Sequence, residues 1–232
     1  MSVKITAKKI ALIADFGALQ TLLSILPYSM TIGVSGQITL GVIGGPLIGI
    51  LLGPFFGGIA VLIGSLAGVF LNPSGAIFGL FTVLPPTVAA LAAGFTKLRQ
   101  GYLGGTIILL TLLVFYANPV GREVFAFTWF HILGMIVAFS SVFYVKKTTF
   151  DSAGAVKPVI GISVGALVGV LADHMTGNAI AVWYLPPFEP SLWYAVMFVY
   201  PFERIVAFLL TVAIAVPVFW SIKRSGMAEQ LK

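Results

Sequence analysis

The chain has 232 residues, of which 59% are hydrophobic and 9% charged, with a formal net charge of +6 and no cysteine; its mean hydropathy is +1.08. So little polar surface cannot clothe a soluble globule, and the length holds at most about eight membrane-crossing helices with their loops, leaving no room for a soluble domain. The absence of cysteine excludes disulfides, thiolate catalysis and thiolate metal ligands together.

Apolar segments fall at 8–27, 38–53, 55–71, 76–96, 102–118, 127–146, 157–175 and 200–222, each long enough or nearly long enough to span. The breaks carry Pro27, Gly53-Pro54, Asn72-Pro73, Asn118-Pro119, Pro158 and Pro186-Pro187, residues that punctuate helices. Lys4, Lys8 and Lys9 precede the first segment as in a signal peptide. No small-residue cleavage pattern follows, so the segment is read as a retained first helix. The expected fold is an all-α, polytopic transmembrane bundle of about eight spans forming one integral membrane domain over 1–232.

The second and third segments carry a ladder of small residues, Gly41, Gly45, Gly49, Gly53 and Gly57, then Ala60, Gly64 and Gly68. In water each helical glycine costs about 1 kcal/mol relative to alanine. Between membrane helices the same i, i+4 spacing lets backbones approach and gain dispersion, so a tightly packed helical hairpin is expected here. The second segment is short, and needs shelter or a re-entrant path.

With eight spans, Lys4, Lys8, Lys9, Lys97, Arg99, Lys146, Lys147, Lys157, Lys223, Arg224 and Lys232 share one side. Cytoplasmic loops are enriched in Lys and Arg, which places both termini in the cytoplasm of a multi-pass cell-membrane protein. The positive charge then reflects topology and anionic lipid and requires no nucleic-acid partner.

The other side collects Asn72, Asn118, Arg122, Glu123, His131, Asp173, His174, Asn178, Glu189, Glu203 and Arg204. Trp129, Trp183, Tyr184, Trp193, Tyr194 and Tyr200 lie around them, as an interfacial belt or as stacking surfaces for a flat ligand. Residues 176–200 read as a long loop of the kind that forms lids. Asp173 and His174 are expected at the outer end of the seventh helix and Glu203 and Arg204 at the outer end of the eighth. Ionisable groups at membrane depth face a cavity or a partner, so they either seal the bundle as ion pairs or orient a ligand. Asp15 lies within the first helix, as a proton site, a cap or a contact with a partner subunit.

Enzymatic signals are weak. Gly33-Val34-Ser35-Gly36 matches the GxSG of intramembrane proteases, with His174 as the imaginable base, but Ser35 falls in a loop rather than at a buried helix start. Neither a His-Glu-x-x-His metal motif nor a phosphate-binding loop occurs. No catalytic residue, metal or cofactor is expected, and the chain is read as a non-enzyme.

Leu52-Gly53-Pro54-Phe55-Phe56-Gly57-Gly58, the Asn72-Pro73 turn and a helix ending Ala93-Gly94-Phe95 resemble the membrane-embedded substrate-binding S components of energy-coupling factor (ECF) vitamin transporters, whose second and third helices meet at a similar Gly-Pro corner. The last helix, from Pro201-Phe202-Glu203-Arg204 to Ala215-Val216-Pro217 and Lys223-Arg224, is also similar. Ala7-x3-Ala11 and Ala14-x3-Ala18 match the family's docking face for the T subunit. The resemblance covers about half the chain. It implies capture of a vitamin-like small molecule from outside and its delivery inward with a T subunit and ATPase subunits, around a six-span core. Eight spans then imply an extra pair of helices around 102–146. The metal-binding His of the nickel and cobalt branch is missing. The substrate-site residues carried by this reading are Asp173, His174, Asn178, Trp183, Tyr184, Glu189, Glu203 and Arg204, and the docking residues Ala7, Ala11, Ala14 and Ala18. The alternatives are a non-transporting scaffold subunit and a secondary transporter, which would need inverted repeats and broken mid-membrane helices.

Overall fold

A computed structural model describes residues 6–28, 38–145, 156–186 and 188–225. Among these, the eight apolar segments form eight principal helices: α1 (Ala7–Ile25), α2 (Gly41–Leu52), α3 (Pro54–Leu71), α4 (Leu84–Lys97), α5 (Gly101–Ala117), α7 (Trp129–Tyr144), α8 (Val156–Tyr184) and α10 (Tyr200–Arg224). Two short helices, α6 (Pro119–Glu123) and α9 (Pro190–Val196), lie in connections. A two-residue antiparallel pairing, β1 (Pro27–Tyr28) with β2 (Ile38–Thr39), joins α1 to α2. Five helical stretches are long and apolar enough to cross a membrane: α3, α8, α10, and Gly79–Lys97 and Phe125–Tyr144, which include the 3-10 turns leading into α4 and α7. The chain is an all-α bundle of the multi-pass membrane kind.

α8 is the central post. Two thirds of its most apolar window is buried inside the bundle, against 17% for α10. All twelve residues of α2 are buried, enclosed by α1, α3, α4, α8 and α10. At 1.5 Å per residue a twelve-residue helix reaches only about 18 Å, so encirclement by protein provides the shelter its length demands. Lys97, in the last turn of α4, donates from Nζ to Leu51 O at the C-terminal end of α2, where free carbonyls and the helix dipole favour a cation.

The glycine ladder serves three interfaces rather than a single hairpin seam. It is interrupted at Gly53, whose φ of +83° turns the chain so that Pro54 opens α3. Gly45 and Gly49 lie against the α4 backbone: an added Cβ would stand 2.5 Å from Pro86 O and 2.2 Å from Ala90 O. A Cβ added at Gly57 would stand 3.0 Å from Gly49 Cα of α2, and ones added at Gly64 and Gly68 would meet Gly17 and Ser24 of α1. The i, i+4 spacing holds, but successive rungs face different neighbours.

One boundary differs from the sequence reading. The seventh apolar segment was expected to end at 175, whereas α8 continues to Tyr184. The polar run from Asp173 to Asn178 does not break the helix because its side chains turn inward to partners. The expected lid-like loop therefore contracts to residues 185–199, which contain α9.

Candidate functional site

Polar chemistry gathers at one end of the helices. The last turn of α1, the first turn of α2, the C-terminal turns of α3, the inner stretch of α8 around Asp173, α9 and the first turn of α10 enclose a cavity of about 350 Å³. The described basic helix ends lie opposite: Lys8 and Lys9 in the first turn of α1, Lys97 in the last turn of α4, Lys157 in the first turn of α8, and Lys223 and Arg224 in the last turn of α10.

Asp173, His174, Asn178, Glu203 and Arg204 all line this cavity. Arg204, 2% exposed, donates from Nη2 to Glu203 Oε2 at 3.4 Å, and its Nη1 stands 3.8 Å from Asp173 Oδ2. These contacts are loose, and Nε of Arg204 is buried with no partner among the described residues. Arg122, by contrast, donates to Tyr116 O and Ala117 O at the end of α5, a capping role.

His131 of α7 is fully buried. Its Nε2 lies 2.9 Å from Nδ1 of His174, and its ring is stacked at 5.3 Å on Tyr200. The Tyr200 hydroxyl donates to Phe127 O at 2.8 Å, so its 3.5 Å contact with His131 Nδ1 requires the imidazole to donate. A neutral His131 then accepts at Nε2, His174 donates from Nδ1, and Nε2 of His174 is left as an acceptor. The Asn178 amide lies 3.4 Å from the same His174 Nδ1. The near atom is Nδ2, so with His174 Nδ1 donating, a hydrogen bond here requires the Asn178 amide turned to present its carbonyl oxygen.

The walls are aromatic. Phe127 meets Trp193 edge to face at 4.9 Å and Tyr200 at 4.7 Å, and Phe188 packs on Trp193 at 6.3 Å. Trp193 of α9 is 7% exposed, and its indole Nε1 is buried with no partner among the described residues. Below, Gln20 of α1 is fully buried and donates from Nε2 to Ser24 and Ser65 at 3.2 and 3.0 Å, two hydroxyls on the cavity wall.

Trp183, Tyr184 and Glu189 stand apart from the cavity. Trp183 is exposed and donates from its indole to Val114 O at 3.0 Å; Tyr184 is exposed with its ring edge-on to Phe81; Glu189 is exposed at the start of α9. Phe127, Phe188, Trp193 and Tyr200 supply the aromatic wall instead. Ala7, Ala11, Ala14, Asp15 and Ala18 are exposed on the outer surface of α1. The Gly33-Val34-Ser35-Gly36 motif, Lys4, Lys146, Lys147, Pro187 and Lys232 lie outside the described residues.

The chain is similar to an uncharacterized protein of Methanocaldococcus jannaschii, with 27% identity over 180 residues, 77% of this chain and 60% of that relative's length. The match thus spans less than two thirds of the relative. No family model matches the chain, and no solved structure does.

Proposed function

We propose that this protein is the membrane-embedded substrate-binding S component of an ECF-type, ATP-driven importer, capturing a small vitamin-like solute and delivering it inward with a T subunit and ATPase subunits. The observation that carries the reading is the cavity. It gathers five of the eight substrate-site residues expected from the sequence, at the end of the bundle opposite the basic helix ends. By the positive-inside rule that end is extracytoplasmic, with eight spans and both termini in the cytoplasm. Its volume is at the low end of small-molecule sites, about 300–1,000 Å³, and its mix of aromatic walls and few polar groups is typical of them. The exposed small-residue face of α1 supports docking to the T subunit, because small side chains let a neighbouring membrane helix approach closely.

The test is a thermal-unfolding screen of the detergent-purified protein against vitamins and their precursors. A solute present at 100 times its dissociation constant adds about 2.7 kcal/mol of stability, a readily seen rise in Tm. One strong stabiliser, lost in Glu203→Gln or Trp193→Ala, is the expected result. Silence across the panel from protein that melts cooperatively would overturn the reading in favour of a non-transporting scaffold subunit.

A further inference from the structure

The charge balance of the cavity narrows its ligand. Three residues with ionisable acid or guanidinium groups line it: Asp173, Glu203 and Arg204. With all three ionised the site carries one excess negative charge, and each member is at most 8% exposed. A single guanidinium at 3.4 and 3.8 Å from two carboxylates neutralises one of them. The other either takes up a proton or meets a cation, since an unmatched charge in a low-dielectric setting is expensive, and a cationic ligand is the partner that leaves both carboxylates ionised.

The remaining groups agree in sign. His174 is left with Nε2 as an acceptor by the bonds that tie His131 to Tyr200 and Phe127. The negative faces of Phe127, Trp193 and Tyr200 attract cations as well as flat rings. Carboxylates, an imidazole lone pair and aromatic faces all favour positive charge and N–H donors. The buried indole N–H of Trp193 and Nε of Arg204, neither with a partner among the described residues, are the exceptions, and call for an acceptor elsewhere on the ligand.

We infer that the ligand of this cavity is a planar nitrogen heteroaromatic, positively charged at neutral pH, held with its N–H donors toward Asp173, Glu203 and His174 and its ring against the aromatic wall. The inference rests on the solute-binding reading above, and narrows it to one charge class.

Three probes of nearly equal size separate the classes: 4-aminoquinoline, a cation at neutral pH; 1-naphthylamine, its neutral counterpart; and quinoline-4-carboxylate, an anion. Isothermal titration of each into the purified protein should show 4-aminoquinoline binding at least tenfold more tightly than the other two. That preference should shrink at least tenfold in Glu203→Gln, and independently in Asp173→Asn, so the result does not depend on one variant folding. Preferred binding of the neutral or anionic probe would overturn the inference while leaving a solute site in place. A cation preference unchanged in both carboxamide variants would overturn it too. No heat and no rise in Tm from any probe at millimolar concentration, in protein that melts cooperatively, would overturn this inference, while the solute-site reading stands or falls with the vitamin screen.

Discussion

His131 and His174, from helices α7 and α8, share one hydrogen bond at 2.9 Å with their rings stacked 5.0 Å apart. One imidazole must donate and the other accept, and the Tyr200 hydroxyl, whose proton goes to Phe127 O, decides which. Both rings are expected to carry the proton on Nδ1. Nitrogen-15 NMR of histidine-labelled protein reads this directly, and a proton on Nε2 of His131 would reverse the polarity of the whole chain. In Tyr200→Phe the constraint on His131 is lost, and a ligand bound through His174 should weaken by about 1 kcal/mol, the usual net worth of one hydrogen bond.

Arg204 offers a second test, on stability. It is the shared partner of Asp173 and Glu203, so Arg204→Met leaves two buried carboxylates without that cation. Removing one member of a buried charged set costs about 3–5 kcal/mol, and thermal unfolding in detergent should show a loss of that order. Adding Glu203→Gln to Arg204→Met should restore part of it, because the second substitution removes a carboxylate that the first left unmatched. A double variant no more stable than the single one would mean that Glu203 does not need Arg204.

The ionisable members of the site were legible in the sequence because Asp173, His174, Glu203 and Arg204 interrupt or flank apolar runs, where charge needs a reason. What the sequence reading missed was where α8 ends. Once the helix is known to reach Tyr184, His174, Gly177, Asn178, Ala181 and Leu185 form a stripe spaced by three or four residues, and all five line the cavity. At about 100° per residue, Trp183 lies on the opposite side of the helix from His174, and Tyr184 lies off the stripe. Taken as loop residues they had no such constraint. Trp193 and Tyr200 were visible only as members of an aromatic belt, since nothing local in the sequence tells an inward ring from one at the membrane surface. Gln20 was an available signal: an amide one helical turn before Ser24 in an apolar helix, which the structure buries against Ser24 and Ser65.

Two glycines of the ladder should respond to alanine for different reasons. At Gly49 the new Cβ would stand 2.2 Å from Ala90 O, a backbone atom that cannot swing away, so α2 and α4 must separate. Overpacking of this kind costs about 1–3 kcal/mol. At Gly53 nothing lies within 4 Å of the new Cβ, but φ is +83°, and a backbone in a sparsely populated region costs about 1–3 kcal/mol. With ψ at 175° this is a region open essentially to glycine alone. Asparagine, whose tolerance of positive φ is for left-handed helical backbone, gains no relief there, so Gly53→Asn should lose about as much as Gly53→Ala, whereas Gly49→Asn should be worse than Gly49→Ala. Melting temperatures of the four variants separate steric crowding from backbone strain, and equal losses for the two Gly49 variants, or a Gly53→Asn clearly milder than Gly53→Ala, would contradict the assignment.

The outer face of α1 tests assembly apart from folding. Ala11, Ala14 and Ala18 are exposed, while Gly17 and Gln20 on the inner face are buried against α3 and its neighbours. Substitution of an exposed site away from special features changes stability by no more than about 0.5 kcal/mol, so Ala14→Leu and Ala18→Leu should melt like the parent protein and bind solute unchanged. If a T subunit docks here, the same leucines hold its helix away from the α1 backbone, and the T subunit and ATPases should no longer co-purify. Asp15 lies exposed between Ala14 and Ala18, in a setting where an unpaired carboxylate is costly, so Asp15→Ala should weaken the complex if a cation of the partner meets it. Gly17→Leu is the contrasting variant: its side chain is directed at the α3 backbone, where even a Cβ would lie 3.4 Å from Ala60 O, and it should lower the melting temperature before any partner is present. Assembly that survives Ala14→Leu and Ala18→Leu together would move the docking surface off α1 and remove the main structural support for a T-subunit partner.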